Sequence, residues 1–104
     1  MGDLVTVGKS DEIREGNATA FQVGDHLIGV ARVNGELLAF SDICTHRQCN
    51  LTAGGEINGT TIECECHGST FDMKTGEVVE GPAMEPIEVF EVAEVDGQIR
   101  LSAD

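Results

Sequence analysis

The sequence predicts an all-β fold built from antiparallel sheets, and two observations carry that expectation. Asn34-Gly35, Asn58-Gly59 and Asp96-Gly97 each separate runs rich in strand-forming residues. Asn-Gly and Asp-Gly pairs accept the positive φ that a two-residue type I′ hairpin demands. Apolar and polar residues also alternate with a period of two, as in Ile87, Glu88 and Val89 and again from Val92 to Val95.

Taken in order, the elements begin with a helical turn expected over residues 10–13, where Ser10 can cap and Asp11 and Glu12 complement the dipole. The Gly24-Asp25 turn leads into an apolar strand that starts at His26, which reads as an ordinary exposed histidine. Strands are expected over 26–33 and 36–41 around Asn34-Gly35, short ones over 56–57 and 60–64 around Asn58-Gly59, and a last pair over 87–95 and 98–101 around Asp96-Gly97. The four phenylalanines, Phe21, Phe40, Phe71 and Phe90, are the only aromatic residues and are most simply core residues. At 104 residues the chain is one domain, without repeats or linkers. Its base is expected from residues 1–41 and 84–104, with the hairpins of residues 42–83 inserted between.

Chemistry concentrates in that insertion. Cys44-Thr45-His46 is followed, after 17 residues, by Cys64-Glu65-Cys66-His67. One thiolate and one imidazole from each motif suit either zinc or an iron-sulfur cluster in which two histidines replace two cysteines on one iron. The flanks separate the two, because CTHRQCNLTAGG and CECHGSTFDMKTG contain more than a zinc ribbon requires.

Across residues 42–76, and again at Gly81-Pro82-Ala83, the sequence resembles the Rieske family, whose pattern is C-x-H, a spacer, C-x-x-H-G, an F-D or Y-D pair and a T-G turn. The resemblance implies a Rieske fold, a basal sandwich with an inserted cluster-binding hairpin subdomain, holding one [2Fe-2S] cluster per chain. It makes Cys44 and Cys64 the ligands of the inner iron, and His46 and His67 those of the outer, exposed iron. It also points to a Cys49-Cys66 disulfide between the two loops, as in relatives of the cytochrome bc type; many oxygenase ferredoxins lack this pair. Two unpaired thiols are the alternative reading, and a cysteine replacing a histidine ligand is a third. Pro82 is expected to help form a third loop shielding the cluster, or else to be an ordinary strand-breaking proline.

Tuning residues are distinct from ligands. High-potential relatives carry a Ser after the H-G pair and a Tyr two residues later, both bonded to cluster sulfurs; here Ser69 is present but Phe71 stands at the Tyr position, expected to pack beneath the cluster. Glu65 occupies a place where relatives usually have Pro, and a carboxylate about 8 Å away would oppose reduction by roughly 0.5–2 kcal/mol. These opposing effects predict a potential between the low ferredoxin and high quinol-oxidising groups. Arg47, beside His46, could contact a partner or Glu65.

Asp and Glu outnumber Lys and Arg by 19 to 6, a formal charge of −13 at pH 7. Such a field excludes nucleic acid as a partner and steers the protein toward basic surfaces. No stretch approaches 18 apolar residues, and Met1-Gly2-Asp3-Leu4 has neither a basic region nor an apolar signal core, so no membrane span and a cytoplasmic location are expected. Catalysis at a mononuclear 2-His-1-carboxylate iron needs two further histidines, and only His26 remains. The expectation is therefore an electron carrier and not an enzyme. It would pass single electrons from an NAD(P)H-dependent flavin reductase to an oxygenase or similar acceptor. The alternative is a redox subunit of a larger quinol- or arsenite-oxidising complex.

Overall fold

The computed structural model describes residues 4–43, 49–65, 68–81 and 83–102. Cys44, His46, Arg47, Cys66, His67 and Pro82 lie outside the described residues.

Among the described residues ten strands follow one another: β1 (Val5–Lys9), β2 (Ala18–Val23), β3 (His26–Val33), β4 (Glu36–Ser41), β5 (Glu56–Asn58), β6 (Thr61–Glu63), β7 (Thr70–Asp72), β8 (Val78–Glu80), β9 (Val89–Val95) and β10 (Gln98–Ser102). Six form one antiparallel sheet in the order β1-β10-β9-β4-β3-β2, and β5-β6-β7-β8 form a second. The six-stranded sheet consists of two three-stranded halves stitched by a short ladder, Ala39 opposite Phe90 and Phe40 opposite Val89. It curls until its edges approach: a side chain at Gly8 of β1 would meet the Phe21 ring of β2. A groove of about 480 Å³ remains along that seam, lined by residues of both edge strands such as Val5 and Phe21. The expected sandwich is thus nearly a closed barrel.

Strand β3 is buried on both faces, and its period of two divides the core. Ile28 and Val30 point into the barrel with Ile13, Ala39, Ile99 and Leu101. Ala31 and Val33 point the other way and, with Phe40, meet Leu51, Ile62, Cys64, Phe71, Met73, Ala83 and Ile87 beneath the four-stranded sheet. Gly29 permits that contact, because a β-carbon there would collide with the Phe40 ring and the Thr52 methyl.

The turns follow their chemistry. Asn34 and Gly35 have φ of 53° and 80°, and Asp96 and Gly97 have 52° and 75°, as type I′ hairpins require. The third turn lies one residue later than expected. Asn58 pairs with Thr61 as the last residue of β5, so Gly59-Thr60 form the turn, and Gly59 takes the positive φ of 60°.

Ser10 does not cap. The expected helical turn is a 3-10 turn over Ser10–Glu12, with Lys9 at the cap position and no side-chain capping bond. Ser10 is buried, its N–H donates to the Gly97 carbonyl at 2.8 Å, and its hydroxyl bonds Glu94. Arg32 pins the same corner, donating to the Ser10 and Ile13 carbonyls at 2.8 Å each and pairing with Glu94 at 3.2 Å. That guanidinium, followed by the Ser10 hydroxyl, holds the Glu94 carboxyl below the usual range. Glu15 is lowered likewise, chiefly by the Gly35 and then the Asn34 backbone N–H, which it accepts across the turn at 2.9 and 2.6 Å. His26 is half-buried, packed edge-on against Phe90 with ring centroids 5.4 Å apart, so the expectation of an ordinary exposed histidine is corrected. No helix among the described residues is long and apolar enough to cross a membrane.

Candidate metal centre

The first loop leaves β4 at Ser41 and returns at Leu51, and Asp42 closes its neck. The Asp42 N–H donates to the Leu27 carbonyl at 2.9 Å, and its carbonyl accepts the Leu51 N–H at 2.6 Å. Its carboxylate accepts the Asn50 amide at 2.9 Å and the Thr52 N–H at 2.7 Å. A fully buried carboxylate is costly unless bonded, and these donors meet that cost. Ile43 and Asn50 form a bridge inside the neck, and Cys49 packs partly buried on the core that contains Cys64. The sequence reading gave Asp42 no role, because its partners are eight and ten residues away and no local motif announces them.

The second loop is the tighter of the two. Cys64, at the end of β6, is 1% exposed. Its N–H donates to the Ser69 carbonyl at 2.7 Å, and its carbonyl accepts the Gly68 N–H at 3.0 Å. The chain reverses within this small ring, and Gly68 takes a φ of +77° to allow it. Glu65 is exposed, yet its carboxylate fills the space that a side chain at Gly54 would need, so it spans from the second loop to the return of the first.

Beyond the loop, the Phe-Asp and Thr-Gly pairs have structural work. Phe71 lies opposite Ile62 in the register of β6 and β7 and is fully buried in the core that holds Cys64. The Asp72 carboxylate accepts the Lys74 and Thr75 N–H groups at 2.8 and 3.3 Å. Gly76 lets the Ile87 backbone approach where any β-carbon would block it, and the Ile87 N–H donates to the Gly76 carbonyl at 2.9 Å. The motif therefore fastens the four-stranded sheet to the start of β9.

Ser69 is fully buried. Its Oγ accepts the Ala83 N–H at 3.1 Å, so the hydroxyl proton points away from that amide. Among the described residues no group of three or more His, Cys, Asp or Glu side chains is placed to hold a metal; Cys64 alone of the four expected ligands is described.

The Rieske [2Fe-2S] domain family model matches residues 3–91. The chain belongs to that family. Among curated relatives, the ferredoxin component of the p-cumate 2,3-dioxygenase system of Pseudomonas putida is 33% identical over 95% of this chain and 85% of its own length. Among solved structures, the ferredoxin of carbazole 1,9a-dioxygenase from Nocardioides aromaticivorans IC177 superposes with a TM-score of 0.93 at 27% identity, over 99% of this chain and all of that one. A ferredoxin-like match at TM-score 0.89 and 29% identity, covering 97% of this chain and 94% of the other, comes from a complex of reduced oxygenase and oxidised ferredoxin in carbazole 1,9a-dioxygenase. The cofactor of this Rieske domain is one [2Fe-2S] cluster. The residues fit such a group, since Cys64 offers a buried sulfur and Ser69 a buried hydroxyl whose proton is turned away from the Ala83 N–H.

Proposed function

We propose that this chain is a one-electron carrier, a Rieske-type ferredoxin that takes electrons from an NAD(P)H-dependent flavin reductase and delivers them to an oxygenase. It carries electrons and is not itself a catalyst, in keeping with relatives named as ferredoxin components of dioxygenase systems. Cys44 and Cys64 hold the inner iron, and His46 and His67 the outer. When bound, the cluster supplies a centre that gains and loses one electron. Two thiolates and two neutral imidazoles, with two sulfides and two ferric ions, sum to zero in the oxidised state, which favours adding an electron and explains the range of roughly −150 to +300 mV for such centres against about −400 mV for all-cysteine ferredoxins.

The observation that carries this reading is the second loop, where a buried Cys64 and a buried Ser69 are tied by the bond from the Cys64 N–H to the Ser69 carbonyl. The chain's own residues do the rest. Phe71 and Ile62 exclude water beneath Cys64, the Asp42 neck holds the first loop, and Glu65 links the two loops.

The same proposal includes a division into a cluster-binding part at about 42–83 and a base of 1–41 and 84–104. It includes a Cys49-Cys66 disulfide, supported by the packing of Cys49 on the core of Cys64, with Pro82 in a shielding third loop and a cytoplasmic location. Docking uses the edges of His46 and His67 and the acidic surface. Ser69, Cys49 and Cys66 also favour a second reading, the redox subunit of a larger quinol- or arsenite-oxidising complex.

Variants of the three histidines test the assignment. His46→Ala and His67→Ala should each lose the red-brown visible absorption and the EPR signal of the reduced cluster, whereas His26→Ala should keep both. Retention of colour by His67→Ala, or its loss in His26→Ala, would overturn the ligand set.

A further inference from the structure

We infer that the backbone N–H of Ala83 is a positioning group for the metal centre, setting the direction and donor strength of the Ser69 hydroxyl. The inference rests on the cluster assignment above and concerns a contact that the motif pattern does not contain. A serine hydroxyl has one proton and two lone pairs. The Ala83 N–H occupies a lone pair at 3.1 Å, so the proton is directed away from that peptide. An acceptor that receives a hydrogen bond also becomes a better donor, because the first bond draws charge from the oxygen. The Ala83 peptide thus does two things at once: it restricts the rotor and it polarises the O–H.

The fold holds that peptide firmly. Ala83 is 4% exposed and packs in the core shared by Cys64, Phe71 and Ile87, whereas Met84, the next residue, is 92% exposed. A displacement of Met84 from outside would therefore reach Ser69 through Ala83 and a single hydrogen bond. Sequence alone could not show this, since any residue but proline at position 83 supplies the N–H.

The test replaces the Ala83 amide by an ester, which removes the N–H while keeping the side chain and the chain geometry. The C-terminal segment is made synthetically and ligated at Cys66. Ala83→Pro, expressed conventionally, serves as a second donor-free variant. Each is made in the Ser69 protein and in Ser69→Ala, and the midpoint potential is measured by titration of the cluster-loaded protein, with exchangeable-proton couplings read by ENDOR of the reduced state. The expected result is a lower potential and a weakened or shifted proton coupling in the Ser69 background, and no change of either in the Ser69→Ala background. Equal shifts in both backgrounds, or none with Ser69 present, would overturn the role of Ala83. Absence of a histidine-ligated cluster signal in the unmodified protein would instead overturn the assignment on which it rests.

Discussion

Ser69 and Glu65 act on the same added charge with opposite sign. A hydrogen bond that strengthens on reduction by about 1 kcal/mol raises a one-electron potential by roughly 40 mV. Ser69→Ala should therefore lower the midpoint by about that amount; an unchanged midpoint would place the hydroxyl away from the cluster. Glu65 is exposed, so solvent screens it, and Glu65→Gln should raise the midpoint by roughly 20–90 mV with a shift that shrinks as salt is added. Asp42 acts on stability instead. Asp42→Ala removes the acceptor of the Asn50 amide and the half-buried Thr52 N–H and should cost roughly 1–3 kcal/mol in urea unfolding, with loss of cluster during purification. Wild-type stability in that variant would show that the neck is held by other contacts. The family motif was legible in the sequence because it is local. Asp42 and the Ala83 N–H were not, since their importance comes from partners that only the fold brings near.

At the scale of elements, the two-residue turns were readable because positive φ is a property of the residues in them. The Asn58 hairpin shows the limit: the pair Asn-Gly marks a turn, but the register of β5 with β6 decides which two residues occupy it. Ser10 shows another, for tertiary partners in Arg32, Gly97 and Glu94 took the groups that a local cap would have used. Strand β3 illustrates how packing follows from a single small residue. Gly29→Ala should push the Phe40 ring and Thr52 off the strand, lowering stability by roughly 1–3 kcal/mol in urea titration; a neutral effect would mean that the sheet relaxes freely. Glu15 and Glu94 add a pH dependence to the base. Both carboxyls are held below the ordinary glutamate range in the folded state, so their stabilisation is complete above the unfolded value and is lost as pH falls through the folded ones. Thermal melts should be flat in this respect above about pH 5 and decline below it, and Glu15→Gln with Glu94→Gln should flatten the decline. An equally steep decline in the double variant would assign it to other carboxylates.

For the whole molecule, the two cores explain how the frame around Cys64 is held. One fills the barrel, and the other is shared by the base and the four-stranded sheet, so Cys64 is anchored by the same residues that join the halves. A net charge of −13 surrounds this frame, and association with a basic redox partner should slow steeply as ionic strength rises; stopped-flow rates independent of salt would remove the steering role. With no Trp or Tyr, the protein has little ultraviolet absorption of its own, and strong absorption in pure material reports the cluster. A spectroelectrochemical titration of the purified protein therefore tests the central claim most directly. The account predicts a red-brown, one-electron centre with a midpoint on the negative side of the Rieske range, between about −150 mV and zero. A midpoint well above zero, or a protein without a redox-active chromophore, would contradict it.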